Sequence, residues 1–210
     1  MKKHALAIVA LVALVVISSP LFAQDDKMMF GFKGGINLAN ITGDVVEDEI
    51  SMKTGLVGGL FICYRVTETV ALQTEFLYSM KGCKLEDPDV EMIWNLNYLE
   101  IPLLFKVNLP TRGNLKPSLY AGPALGILMS AEGELKIIET GEGGNRDIKD
   151  QFEETDIGII AGAGLGYKMG SGCLFGEFRY EVGLQCVRKN SDGDGKNSGM
   201  SIMGGYGFAF

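Results

Sequence analysis

The sequence predicts an all-β fold: an eight-stranded antiparallel up-and-down barrel that crosses a membrane once its leader has been removed. Three observations carry that prediction. Residues 1–23 read as a secretory signal peptide, and the rest breaks into about eight segments of alternating polarity. The chain stops on an aromatic ladder, with Ile202, Tyr206, Phe208 and Phe210 on one face of a final strand and Met203, Gly205, Gly207 and Ala209 on the other.

Lys2, Lys3 and His4 make a short basic start, Ala5 to Ile17 an apolar run, and Ser18 to Ala23 a small-residue region ending in Ala-Gln. The run falls short of the ~20 apolar residues of a spanning helix. The expected cut lies before Gln24, although Leu21 is large for its position in an A-x-A pattern, and no cysteine follows it to carry a lipoprotein anchor. The mature domain expected is 24–210. Removing the signal takes Lys2 and Lys3 from the 19 Lys+Arg and nothing from the 26 Asp+Glu, so the mature charge is −9; it also takes the only histidine. An acidic chain with scattered cations has no electrostatic footprint for nucleic acid.

About 187 mature residues suit one domain. The most apolar stretch left, Leu56 to Tyr64, has nine residues, two of them glycine. A membrane crossing must therefore use strands of ~9–11 residues closed on themselves. The first strand, Phe30 to Leu38, sets Gly31, Lys33, Gly35 and Asn37 against Phe30, Phe32, Ile36 and Leu38, with Gly34 as the exception. Thr54 to Arg65 is weaker. In Leu72 to Lys81, Leu72, Phe76, Tyr78 and Met80 oppose Gln73, Glu75, Ser79 and Lys81, with Thr74 and Leu77 as exceptions. In Tyr98 to Val107, Leu99, Ile101, Leu103, Phe105 and Val107 oppose Tyr98, Glu100, Pro102, Leu104 and Lys106.

Pro117 to Met129 and Asp156 to Tyr167 are again weaker; in the second, Gly158, Gly162, Gly164 and Gly166 oppose Ile157, Ile159, Ala163 and Leu165. Gly162-Ala-Gly164-Leu-Gly166 lacks the G-x-G-x-x-G spacing and continues as a strand, so it reads as relief of crowding inside a narrow barrel, not as a dinucleotide fingerprint. Gly176 to Leu184 sets Phe178, Tyr180, Val182 and Leu184 against Glu177, Arg179, Glu181 and Gly183, and the terminal ladder completes eight.

Connections alternate in length. Thr67-Glu68, Thr111 to Asn114 and Met169 to Gly172 are short; Ala39 to Met52, Cys83 to Asn95, Ala131 to Thr155 and Arg188 to Ser198 are long. Barrels of this kind place short turns in the periplasm and long loops outside, and an even strand count leaves both termini in the periplasm.

Several of these pieces together resemble one family, the PorT-like outer-membrane β-barrel proteins of the Bacteroidota. They are Gly31-Phe-Lys-Gly-Gly-Ile-Asn37, Leu72 to Gly82, Tyr98-Leu-Glu-Ile-Pro-Leu-Leu-Phe-Lys106, Tyr120-Ala-Gly-Pro123, Asp156-Ile-Gly158 with Gly162-Ala-Gly164, and Glu177-Phe-Arg-Tyr180. The resemblance covers nearly all of the mature chain. It implies the barrel and an outer-membrane location; the family's founding member is tied to protein secretion and gliding machinery, which makes an envelope complex the implied partner. Cys63 stands where the family pattern leads one to expect an acidic or polar residue.

Nucleophilic triads and most acid–base schemes lean on imidazole, and without histidine no catalytic residue is assigned. Glu177 and Glu181, with Glu75 or Glu100 across from them, leave a paired-carboxylate site formally open. The reading adopted is a structural network in the lumen, in which Lys33, Lys81, Lys106 and Arg179 neutralise Glu75, Glu100, Glu177 and Glu181, because buried charges must be paired.

Cysteines 63, 83, 173 and 186 reach an oxidising compartment. Strand parity points Cys63 and Cys173 inward near the periplasmic rim and places Cys83 and Cys186 near the outer rim, which makes 63–173 and 83–186 the pairings to consider. Against both, the strands are not adjacent and a bridge needs Cα atoms within ~7 Å; Cys186 also has outward parity. C-x-x-C spacing is absent, so no zinc is expected.

Asn190, Asp192, Asp194 and Gly195 imitate half of a calcium loop, but Ser201 stands at its twelfth position in place of glutamate. A solvated outer loop is expected there, as for Glu47-Asp48-Glu49 and Glu153-Glu154. Neither cofactor nor metal is expected. Phe30, Phe32, Tyr64, Phe76, Tyr78, Phe105, Tyr167, Phe178, Tyr180, Phe208 and Phe210 are assigned to the lipid face.

The partners expected are outer-membrane lipid and, through Tyr206, Phe208 and Phe210 as an insertion signal, the barrel-assembly machinery. Function reads as a non-enzymatic barrel acting through its loops. The alternatives are a small-solute channel, disfavoured because side chains fill an eight-stranded barrel, and a soluble lipocalin-like binder, which would reverse the inside-out pattern.

Overall fold

The computed structural model describes residues 27–43, 50–86, 90–137, 143–189 and 195–210. The expected signal peptide, Glu47-Asp48-Glu49, and Asn190, Asp192 and Asp194 of the calcium-like loop lie outside these residues.

Among the described residues nine strands form: β1 (Met28–Thr42), β2 (Ile50–Arg65), β3 (Val70–Glu86), β4 (Val90–Asn108), β5 (Leu115–Ile137), β6 (Gly143–Asp147), β7 (Thr155–Met169), β8 (Gly172–Gly183) and β9 (Lys196–Ala209). All but β6 join one closed ring. Sequence neighbours pair antiparallel, β5 pairs with β7, and β1 pairs with β9 from Met29↔Ala209 to Thr42↔Lys196. Closure satisfies the backbone of the first and last strands on each other.

The eight-stranded up-and-down barrel is the fold that the alternation predicts. Its strands are longer than expected. β4 has 19 residues and β5 has 23, against the ~9–11 needed to cross hydrocarbon. The expected loop Cys83 to Asn95 is therefore mostly strand, since β3 runs to Glu86 and β4 starts at Val90. Ala39 to Met52 likewise loses both ends to strands, and Arg188 to Ser198 loses its end from Lys196 onward to β9. Ala131 to Thr155 holds the end of β5, the whole of β6, and a 3-10 turn at Lys149–Gln151. β6 pairs only with β5, from Glu132↔Asp147 to Lys136↔Gly143, beside the stretch of β5 that β7 does not reach.

Both described chain ends meet at one rim, where Phe210 N donates to Met28 O at 2.9 Å. The three short turns lie at that near rim. The turn between β7 and β8 contains Gly170 at φ 62°, a left-handed conformation that a side chain would strain. The far rim carries the long strand extensions.

Period two sorts the side chains. Every aromatic residue assigned to the outer face lies there, from 37% exposed at Tyr64 to 59% at Phe210, and Leu60, Leu119, Ile159 and Ile202 join them. Lys33, Glu75, Lys81, Glu100, Glu177 and Arg179 are buried inside. A lipocalin-like binder needs the opposite arrangement. Among the described residues no helix is long and apolar enough to cross a membrane.

Candidate functional site

The interior is layered along the barrel axis, and each layer follows from which strands send short or long side chains inward. At the near rim a cavity of about 460 Å³ opens between the turns, with Glu68, Leu109, Pro110 and Ser171 at its mouth. Its inner end is set by Phe61 of β2 and Phe175 of β8. These rings meet edge to face with centroids 5.4 Å apart, although β1 and β9 separate their strands. The approach is possible because Gly31, Gly205 and Gly207 sit beneath the rings. A Cβ on Gly31 would lie 2.6 Å from Phe61 Cε1, and one on Gly205 would lie 2.6 Å from Phe175 Cζ. Cys63 and Cys173, one inward position nearer the rim on the same strands, line the cavity.

Behind the rings lies a charged layer. Lys33 Nζ donates to Glu75 Oε1 and Glu177 Oε1, both at 2.6 Å, and Arg179 Nη2 donates to Glu75 Oε2 at 2.8 Å and Glu177 Oε1 at 2.7 Å. Two cations thus meet two carboxylates. Lys33 Nζ also stands 5.6 Å from the Phe61 centroid and 6.0 Å from that of Phe175, and the Arg179 guanidinium stands 5.8 Å from that of Tyr120.

A second layer lies toward the far rim, where Lys81 Nζ donates to Glu181 Oε1 at 2.7 Å and Glu100 Oε1 at 3.1 Å. One cation serves two carboxylates. Beside it, Asn197 Nδ2 donates to Asp156 Oδ2 at 2.8 Å and to Tyr98 Oη at 3.4 Å.

Of the eight charged residues assigned to the lumen, the structure gathers seven into these two layers. Lys106 stands apart and donates only to the neutral Gln73 Oε1, at 3.4 Å. Gln73 in turn donates to Glu75 Oε1 at 2.6 Å. Gln73, Tyr98, Asp156 and Asn197 were not singled out from the sequence; their inward parity was the signal available. As for the paired-carboxylate possibility, each of the four glutamates accepts a hydrogen bond from at least one cation.

The far end is closed by packing. Phe152, which follows the 3-10 turn, is 1% exposed and packs with Ile41, Cys83, Leu96, Leu128 and Val187. Its ring meets that of Trp94 edge to face at 5.7 Å, and the Arg188 guanidinium lies 5.7 Å from the Trp94 ring centroid. Backbone hydrogen bonds tie the two loops that supply this cap: Glu153 N to Val187 O at 2.8 Å and Lys189 N to Gln151 O at 2.8 Å.

None of the four cysteines is in a disulfide, and Cys83 is buried in the cap. Ser201, twelfth in the calcium-like pattern, is an inward residue of β9 that donates to Asn37 Oδ1 at 3.1 Å, so the barrel wall already employs it. Among the described residues no three His, Cys, Asp or Glu side chains converge as metal ligands. Tyr206 and Phe208 pack edge to face at 4.8 Å on the outer face of β9.

A family model described as outer membrane protein beta-barrel domain matches residues 22–187. Among solved structures the chain is similar to neisserial surface protein A, with 15% identity, 86% of this chain and 97% of that chain covered, and a TM-score of 0.51. It is also similar to E. coli outer membrane protein W (12% identity, 89% and 100% covered, TM-score 0.47) and to OprG of Pseudomonas aeruginosa (10% identity, 88% and 96% covered, TM-score 0.44). None of the curated proteins matches the chain.

Proposed function

Because the chain belongs to the outer membrane protein β-barrel domain family and resides in the bacterial outer membrane, we propose that it is a non-enzymatic barrel acting through its loops and turns as a structural or interaction component of an envelope complex. The observation that supports this reading is the filled lumen. Two ion-paired layers and a cap centred on Phe152 occupy the axis from the Phe61–Phe175 pair to the far rim. A barrel packed in this way offers solutes no path, which leaves its surfaces to do the work. The resemblance to PorT-like proteins favours a secretion assembly as the complex. Tyr206, Phe208 and Phe210 are the residues proposed to present the chain to the barrel-assembly machinery, and the lumen network is proposed to be structural, with no bound cofactor.

Crosslinking and pull-down from native envelopes test the reading. Recovery of a stoichiometric envelope partner, lost when the far-rim extension of β5 and β6 is shortened, is the expected result. Sustained single-channel conductance of the purified protein in planar bilayers would replace it with the channel reading.

A further inference from the structure

The near-rim vestibule carries a surplus of positive charge in a chain whose net charge is −7. Among the described residues Arg65, Lys106, Lys116 and Lys168 line it beside Lys27, and the acids are Glu68 and Glu177. Glu177 is committed, since Lys33 and Arg179 both donate to its Oε1. The imbalance extends inward. Lys33, Arg179 and Lys106 are three cations in this half of the lumen, against Glu75 and Glu177. Glu75 Oε1 accepts from Lys33 and Gln73, and its Oε2 accepts from Arg179. Among the described residues no carboxylate pairs with Lys106, whose ammonium donates to Gln73 Oε1 at 3.4 Å. A half-buried ammonium of this kind is stabilised by an incoming anion.

The cavity has the size and lining of a ligand site. Its volume of about 460 Å³ lies within the ~300–1,000 Å³ typical of small-molecule pockets. Its walls are largely apolar, with Met29, Phe61, Ala71, Leu109 and Phe175 among them. An apolar wall with a few convergent cations selects an amphipathic anion over an inorganic one.

We propose that the vestibule binds a small organic anion from the periplasm, its carboxylate held by Lys106 with Lys116 as the second cation, and its apolar body against Phe61, Phe175 and Met29. Gly166 makes room for the site. A Cβ there would lie 2.8 Å from Cys173 Sγ and 3.7 Å from Lys116 Cβ, so the thiol and the base of the lysine share the space above it. This site is independent of the partner proposed above, and neither result bears on the other.

Cys173 and Cys63 line the cavity and report on its occupancy, while Cys186 lies at the opposite end. The folded protein in a neutral sugar detergent is alkylated with a neutral, water-soluble maleimide in the presence of benzoate or its uncharged isostere benzamide. Benzoate is expected to slow alkylation of Cys173 and Cys63 several-fold at millimolar concentration, with Cys186 unchanged and benzamide without effect. Lys106→Gln should raise the benzoate midpoint about tenfold, the loss of one charge-assisted contact, and Lys106→Arg should retain it. Lys116→Gln, exposed near the rim, should raise it by a smaller factor and carries the test should Lys106→Gln fail to fold. Absence of protection by benzoate, equal protection by benzamide, or an unchanged midpoint in both glutamine variants would overturn the proposal.

Discussion

The two charged layers of the lumen are built from the same side-chain types but balance differently. Around Lys33 and Arg179, two cations face Glu75 and Glu177 with every contact at 2.8 Å or less. Around Lys81, a single ammonium is divided between Glu100 at 3.1 Å and Glu181 at 2.7 Å. The first layer borders an open vestibule, and the second sits beneath an apolar cap. A balanced cluster depends on each member, because any deletion strands a charge in a low-dielectric interior. A cluster with an extra carboxylate can give one up.

The largest effect is therefore expected from Glu75→Gln. It leaves Lys33 and Arg179 with Glu177 as their sole carboxylate and should cost about 3–5 kcal/mol, the usual penalty for breaking a buried ion pair. Urea unfolding of the barrel from phospholipid vesicles measures it. A loss below about 1 kcal/mol would mean that the layer is solvated and the contrast between the layers is illusory.

Phe152→Ala comes next and addresses the two ends of the barrel. Truncating a buried phenylalanine costs about 3 kcal/mol at the low end of the known range, which suits a cap built from loops that can relax. The sharper readout is Cys83. It is fully buried against Phe152, and in the variant it should react with a membrane-impermeant maleimide applied to whole cells. Continued protection of Cys83 would show that strand packing alone, and not the cap, closes the far end.

These two layers also show what the sequence could and could not reveal. Inward and outward faces were legible wherever lipid meets one side of a strand, as in Leu72 to Lys81 and Gly176 to Leu184, because the two environments impose period two. Beyond the membrane the polarity of the faces inverts, with Cys83, Leu85 and Trp94 packed into the cap and Lys84 paired with Glu91 on the other face, so Cys83 to Asn95 looks like a loop although most of it is paired strand. The partners of each charge were not legible either. Lys33 on β1 meets Glu75 of β3 and Glu177 of β8 across the lumen, a match set by the stagger of the strands and not by parity. Phe152 had no pattern to announce it, being a single aromatic beside the acidic pair Glu153-Glu154. The isolation of Lys106 emerges only once its neighbours' carboxylates are seen to be occupied.

Glu181→Gln tests the other side of the contrast. Lys81 keeps Glu100, and the new amide can still accept from Lys81, so the expected change is about 1 kcal/mol or less. A loss as large as that of Glu75→Gln would show that both carboxylates are needed and that Lys81 is not over-supplied with acid.

The smallest change in equilibrium stability is expected on the outer face, where Phe208 and Phe178 form a matched pair. They are 49% and 48% exposed, on the adjacent strands β9 and β8. Truncating either one removes similar apolar area from lipid, so both alanine variants should lose a similar amount, about 1 kcal/mol, in vesicle unfolding. Assembly in cells should separate them. If Tyr206, Phe208 and Phe210 present the chain to the assembly machinery, Phe208→Ala lowers the folded, heat-modifiable fraction in the outer membrane while Phe178→Ala leaves it unchanged. Equal assembly of the two variants would reduce the terminal ladder to one more part of the apolar belt.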